Sequence, residues 1–170
     1  MKILIPVVSF VAGKSNVGKT TLLEKVIKEF KCRGYKVAVL KHDVHWFDLY
    51  PTGKDEWRYS QSGSQIVVTS SLNKIAYTEH VTHELSVDEV IKRISGVDII
   101  LVEGYKLERL PKVEIYRQEV CDKLFCSEND LIAVVTDTQL PVCVPQFSLS
   151  DASGIVSFLE QKYTLMHNAL

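Results

Sequence analysis

Eight residues, Gly13 to Thr20 (GKSNVGKT), carry the most specific chemistry in this chain. They satisfy G-x-x-x-x-G-K-[ST] at every fixed position, a match that composition alone gives in about one chain in 200 of this length. In such a loop, consecutive backbone N–H groups and the N-terminus of the following helix form a concave anion site. Lys19 adds a point charge for the β- and γ-phosphates of a nucleotide, and the Thr20 hydroxyl is a ligand for Mg²⁺. The expected nucleotide contacts are Gly13, Lys14, Ser15, Asn16, Val17, Gly18, Lys19, Thr20 and Thr21. The alternative is a glycine-rich turn that merely joins a strand to a helix.

A loop of this kind needs a second acid at the end of a neighbouring strand, to hold the metal or its water. Asp98 to Gly104 (DIILVEG) supplies an apolar strand ending in Glu103, at the carboxyl edge where ligands of open α/β sheets bind. Thr20 and Glu103 are therefore the candidate metal residues, and Lys14, Lys19 and Glu103 the candidate catalytic ones. For Glu103 the alternative is a solvated strand-end charge. Asp98 lies about 17 Å away along the same strand and should not share the site. Asp137, directly after the strand LIAVVT, is placed to accept N1–H and N2–H₂ of guanine, and is equally suited to a turn. No N-K-x-D or T-K-x-D box of the Ras type occurs, so spacing leaves the base open. Lys14 precedes Lys19 by five residues, the spacing of the second lysine in dimeric ATPases where charge is supplied in trans. A solvated lysine at the loop tip is its alternative.

Two further clusters stand out. Lys41 to Asp55 (KHDVHWFDLYPTGKD) gathers Lys41, His42, Asp43, His45, Asp48, Lys54 and Asp55 on the same sheet edge as the glycine-rich loop. Loops this long without secondary structure tend to be functional, although a His42-x-x-His45 spacing is common by chance. Cys121-x₄-Cys126, with only Cys143 downstream, does not complete a zinc set.

The elements that must position these residues follow from periodicity. Val7–Ala12 is a continuous apolar run suited to a strand buried on both faces, with pairing beginning after Pro6, which has no N–H to donate. From Thr20 to Arg33, Leu22, Leu23, Val26, Ile27 and Phe30 recur at helical spacing, and Gly34 is the expected stop. Tyr35–Leu40 is the next strand, giving the β–loop–α–β crossover of a parallel sheet. A helix is expected over Asp55–Ser62 with Asp55 at its N-cap, strands at Ile66–Thr69 and Ile75–Tyr77, and a helix from Val87 to about Ser95 behind the Ser86/Glu89 capping box. Strands at Asp98–Val102, Val113–Tyr116 and Leu131–Val135 and a helix beginning near Asp151 complete the pattern, with a frayed tail from Thr164.

The chain has 170 residues, 46% of them hydrophobic and 24% charged, an ordinary globular composition that excludes a disordered or rod-like protein. Residues 1–163 read as a single domain and 164–170 as the tail. A net charge of −1 argues against a generic nucleic-acid binder. The apolar run Ile3–Ala12 is about half the length needed to cross a bilayer, and no small-residue cleavage site follows it, so a cytoplasmic location without membrane contact is expected. Cys32, Cys121, Cys126 and Cys143 are too few for a disulfide framework and read as reduced thiols.

Taken in order, GKSNVGKTTL, KH…D…GKDEW…SG, LVEGYK…PKVEIYR and AVVTD resemble the MobB family of molybdopterin-guanine dinucleotide biosynthesis adaptor proteins, from Val7 to about Lys162. The first motif is unspecific alone; its combination with GKD, LVEGYK and IYR is specific. Trp46, Tyr50 and Pro51 occupy part of a loop that carries more acids in the family. The resemblance implies an α/β fold of the three-layer P-loop NTPase type, with a mainly parallel central sheet and some antiparallel strands. It also implies GTP and Mg²⁺ as cofactors, weak GTP hydrolysis and a homodimer. Its implied partners are a molybdopterin guanylyltransferase and molybdopterin-containing intermediates, the adaptor assisting attachment of GMP to molybdopterin. Two other classes compete. A small-molecule kinase would need clustered lid arginines, whereas Arg58, Arg109 and Arg117 are dispersed. A GTP-driven metallochaperone would use the histidines and cysteines.

Overall fold

A computed structural model describes residues 4–42 and 50–165 of the chain. The described residues form two compact units, one built from the residues up to His42 and from Ile91 onward, the other from residues 43–90. Asp43, His45, Trp46 and Asp48 of the charged loop lie outside the described residues, as does the end of the expected tail, 166–170.

The first unit is a six-stranded sheet. Its strands are β1 (Val7–Val11), β2 (Val37–Lys41) and, beyond the second unit, β5 (Ile99–Glu103), β6 (Lys112–Tyr116), β7 (Leu131–Thr136) and β8 (Gln146–Phe147). Their order is β2-β5-β1-β6-β7-β8, and every neighbouring pair is parallel. Pro6 contributes only its carbonyl, which accepts the N–H of Ile100. Parallel pairing aligns the carboxyl ends of all six strands at one edge, which is why a loop after β1 and an acid after β5 can meet.

The helix α1 (Lys19–Cys32) buries Leu22, Leu23, Val26 and Phe30, and Gly34 adopts φ +82° just past its end, the left-handed turn that a C′ glycine permits. It packs beside α4 (Ala152–Tyr163), which contributes Ile155, Val156 and Leu159 to a core shared with Val8, Phe10, Ile99, Leu101, Val113 and Ile115. Arg33 ties the two helices, pairing with Glu29 of α1 and Glu160 of α4. On the other face of β6 the buried Glu114 carboxylate accepts the backbone N–H groups of Phe125 and Cys126, which fixes the loop after that strand.

The second unit contains α2 (Asp55–Gln61) and an antiparallel hairpin of β3 (Ile66–Ser70) and β4 (Ile75–Glu79). Lys54, not Asp55, is the N-cap of α2 and makes no side-chain cap bond; Asp55 is the first helical residue, where its charge and that of Glu56 suit the helix dipole. The Ser86/Glu89 box forms, yet the helix behind it, α3 (Val87–Ile91), stops after little more than a turn. Ile94 N–H already bonds the carbonyl of Ile91 there, closing a tighter turn before Gly96. The two-residue β8 escaped the periodicity reading because it is too short to show alternation.

Candidate functional site

The glycine-rich loop bridges the C-terminal end of β1 and the start of α1. Val17 is buried in the core cluster and anchors it, so this residue can offer a ligand only its backbone. Asn16 (φ +62°) and Gly18 (φ +91°) are left-handed, and the first helical bond runs from Leu22 N–H to Gly18 O. No acid occupies the first turn of α1, which leaves its N-terminus electropositive. Together Lys14, Ser15, Asn16, Val17, Gly18, Lys19, Thr20 and Thr21 line a cleft of about 420 Å³, to which Ala12 and Lys106 also contribute. Gly13 lies just outside it, against Phe125, where a Cβ would stand 3.3 Å from the ring-bearing carbon.

Glu103 reaches this loop from β5. Its carboxylate pairs with Lys19 at 3.1 Å, with only 15% of the Glu103 side chain and 22% of the Lys19 side chain exposed. The strand end that carries Glu103 is held on two sides: His42 N–H donates to the Glu103 carbonyl, and Ser9 Oγ donates to the Gly104 carbonyl. Gly104 has φ +105°, and any Cβ there would meet His42 at 3.1 Å. The next residue, Tyr105, stacks on the His42 ring. Asp98 stands at the opposite end of β5, where its carboxylate and backbone bond Lys36.

Lys14 lines the same cleft as Lys19 and pairs with Asp122 at 2.8 Å, both side chains largely exposed. The hydrogen bond to Asp122, and then its charge, raise the Lys14 pKa, and the same bond lowers that of Asp122. Asp137 follows β7 and lines a second cleft beside the first; its Oδ1 accepts the backbone N–H of Gln118. The structure thus brings the loop, Lys19 and Thr20 into one cleft, sets the Glu103 carboxylate against Lys19, and places Asp137 in the adjoining cleft.

Two residues were missed as site candidates. Lys106 lines the first cleft and Arg117 the second. Arg117 directly follows β6 and Lys106 comes three residues after the end of β5, the two strands that flank β1, and a cation just past a strand end is a signal that the sequence pattern could have flagged. Cys32, Cys121, Cys126 and Cys143 are free thiols. Among the described residues no group of three metal-binding side chains converges, and no helix is long and apolar enough to cross a membrane.

Comparison with known proteins gives a consistent picture. The family model "MobB: Molybdopterin guanine dinucleotide synthesis protein B" matches residues 7–137. The molybdopterin-guanine dinucleotide biosynthesis adapter protein of Haemophilus influenzae is 32% identical, over 94% of this chain and 90% of its own. That of Escherichia coli is also 32% identical, over 93% of each chain. The solved structure of Bacillus subtilis MobB superposes with a TM-score of 0.70 at 23% identity, covering 92% of this chain and 97% of that one, a likeness of fold.

Proposed function

Because the chain belongs to the MobB family, we propose that it is a nucleotide-binding adapter of molybdopterin-guanine dinucleotide biosynthesis, holding GTP with Mg²⁺ in the cleft lined by Lys14–Thr21. The observation that carries this reading is the half-buried Lys19–Glu103 pair beside the cleft that the glycine-rich loop lines. A lysine and a carboxylate in that position are complementary to a phosphate and its metal. Lys19 would exchange Glu103 for phosphate oxygens, and Thr20 and Glu103 would hold Mg²⁺. The bound metal would neutralise negative charge on the phosphates. Asp137 would face the base.

As an adapter the protein would act beside a molybdopterin guanylyltransferase and the molybdopterin-containing intermediates that enzyme handles, in the cytoplasm. At most it would hydrolyse GTP slowly, with Lys14, Lys19 and Glu103 as the acting groups. A homodimer is supported by the hairpin. Ile66, Val68, Ile75 and Tyr77 lie on one face of β3–β4, with Val68 opposite Tyr77, and all four are exposed. An apolar strand face of this kind is a place for a second chain.

Calorimetric titration tests the core of the reading. The wild-type chain should bind GTP in the presence of Mg²⁺ and prefer it to ATP, whereas Lys19→Ala should lose most affinity and keep its fold. A folded Lys19→Ala protein that binds GTP as tightly as wild type would refute the phosphate assignment. Stimulation of a purified molybdopterin guanylyltransferase by the wild-type chain, absent with Lys19→Ala, tests the adapter role.

A further inference from the structure

Beside the phosphate cleft lies a second one of about 410 Å³, where Gly18 and Thr21 face Arg117, Asp137, Ser148 and Ser150. Arg117 directly follows β6 and its guanidinium lies against the glycine-rich loop, Nη2 being 3.3 Å from the point where a Cβ on Gly18 would stand. The Arg117 Nε is buried and has no hydrogen-bond partner. A buried guanidinium N–H without an acceptor is costly to keep, and the side chain that carries it lines this cleft. The backbone around it is fixed: the Arg117 carbonyl accepts the N–H groups of Val120 and Cys121, and Gln118 N–H donates to Asp137 Oδ1. A cation and a carboxylate therefore stand at the ends of adjacent strands, joined through one main-chain hydrogen bond.

This pairing has a chemical counterpart. Guanine presents two neighbouring acceptors, N7 and O6, and beside them two donors, N1–H and N2–H₂. Adenine places a donor, N6–H₂, next to N7. The fork of an arginine matches the N7/O6 pair in two hydrogen bonds and is mismatched to adenine. We propose that Arg117 is a specificity-determining residue that donates to N7 and O6 of a guanine base seated in this cleft, with Asp137 facing the donor edge. The proposal rests on the nucleotide reading above and adds the residue that selects the base.

The test uses an analogue that differs at one atom. In 7-deaza-GTP a C–H replaces N7, so one acceptor of the fork is gone while phosphates and ribose are unchanged. Wild type, Arg117→Ala and Arg117→Lys are titrated with GTP, 7-deaza-GTP and ATP in Mg²⁺, with melting scans to establish folding. Wild type should bind GTP about tenfold more tightly than 7-deaza-GTP. Arg117→Ala should bind GTP about tenfold more weakly than wild type and no longer distinguish the two ligands. Arg117→Lys keeps the charge but not the fork, should behave in the same way, and carries the test if the alanine variant does not fold. An unchanged GTP to 7-deaza-GTP ratio in the variants overturns the proposal. So does an equal loss for all three nucleotides, which would assign the guanidinium to a phosphate. Absence of GTP binding by wild type, or full binding by Lys19→Ala, would remove the nucleotide reading itself. Lys19-dependent binding with an unchanged ratio removes only the role of Arg117.

Discussion

At the scale of single residues, the Lys19–Glu103 pair decides what the cleft can do. Glu103 lies far enough inside that its charge is only partly screened, and its strand end is fixed by His42 and Ser9. If Glu103 serves the metal, Glu103→Gln should weaken Mg²⁺-dependent GTP binding and hydrolysis while sparing GDP binding measured in EDTA. Equal loss in both conditions would make Glu103 a structural partner of Lys19. Cys126 behaves in the opposite sense, as a group the fold silences. Burial, and then the nearby Glu114 charge, push its thiol up to about 12. It stays protonated in the fold while an unfolded chain would ionise it near its ordinary value of 9.0. Its contribution to stability is therefore fully present below pH 9 and lost as the pH climbs toward 12. Iodoacetamide labelling at pH 8, read by mass spectrometry, should modify the exposed Cys32 and Cys143 well before Cys126. Early labelling of Cys126 would show that the loop after β6 opens.

At the scale of elements, the caps and turns do most of the placing. Asp151 caps α4, its carboxylate accepting the N–H of Gly154 at 2.8 Å, and α4 in turn supports α1 from the side. Asp151→Ala should cost about 1 kcal/mol, the ordinary value of such a cap, and lower the melting temperature by about 2–4 °C for a chain of this size. Asp151→Asn, which keeps an acceptor, should recover most of it. An unchanged melting temperature in the alanine variant would mean that solvent replaces the cap. The glycine-rich loop shows the same economy of parts: one left-handed glycine, one buried valine and one short strand give it its shape.

At the scale of the whole molecule, the proposed dimer links two observations. The hairpin offers an exposed apolar face, and Lys14 is a largely exposed loop cation paired with Asp122, while Lys19 pairs with Glu103. Val68→Asp should shift the protein from dimer to monomer in sedimentation velocity while leaving GTP affinity per chain unchanged. If Lys14 acts in trans, that monomer should also lose GTP hydrolysis. Mixing Lys14→Ala with the inactive Lys19→Ala variant should then restore part of the activity, because one intact loop would face a partner with its own Lys14. A fully active monomer, or no recovery despite subunit exchange, would leave Lys14 as the surface partner of Asp122.

What the sequence determined by itself was the local chemistry: the loop Gly13–Thr20, the strand that precedes it, the helix that follows, and Glu103 at the end of an apolar strand. Each depends on neighbours a few residues away, so periodicity, capping and glycine spacing were enough to find it. The parallel sheet was legible for the same reason, since a strand, a helix and a second strand in close succession leave one common crossover. Only the tertiary structure decided which cations flank the clefts. Lys106 and Arg117 become neighbours of the loop because β5 and β6 lie on either side of β1, an order that no local pattern encodes. It likewise decided that Lys14 pairs with Asp122, 108 residues away, and that Asp137 is tied to the backbone beside Arg117. Those contacts join residues that are remote along the chain, and strand order alone brings them within reach of one another.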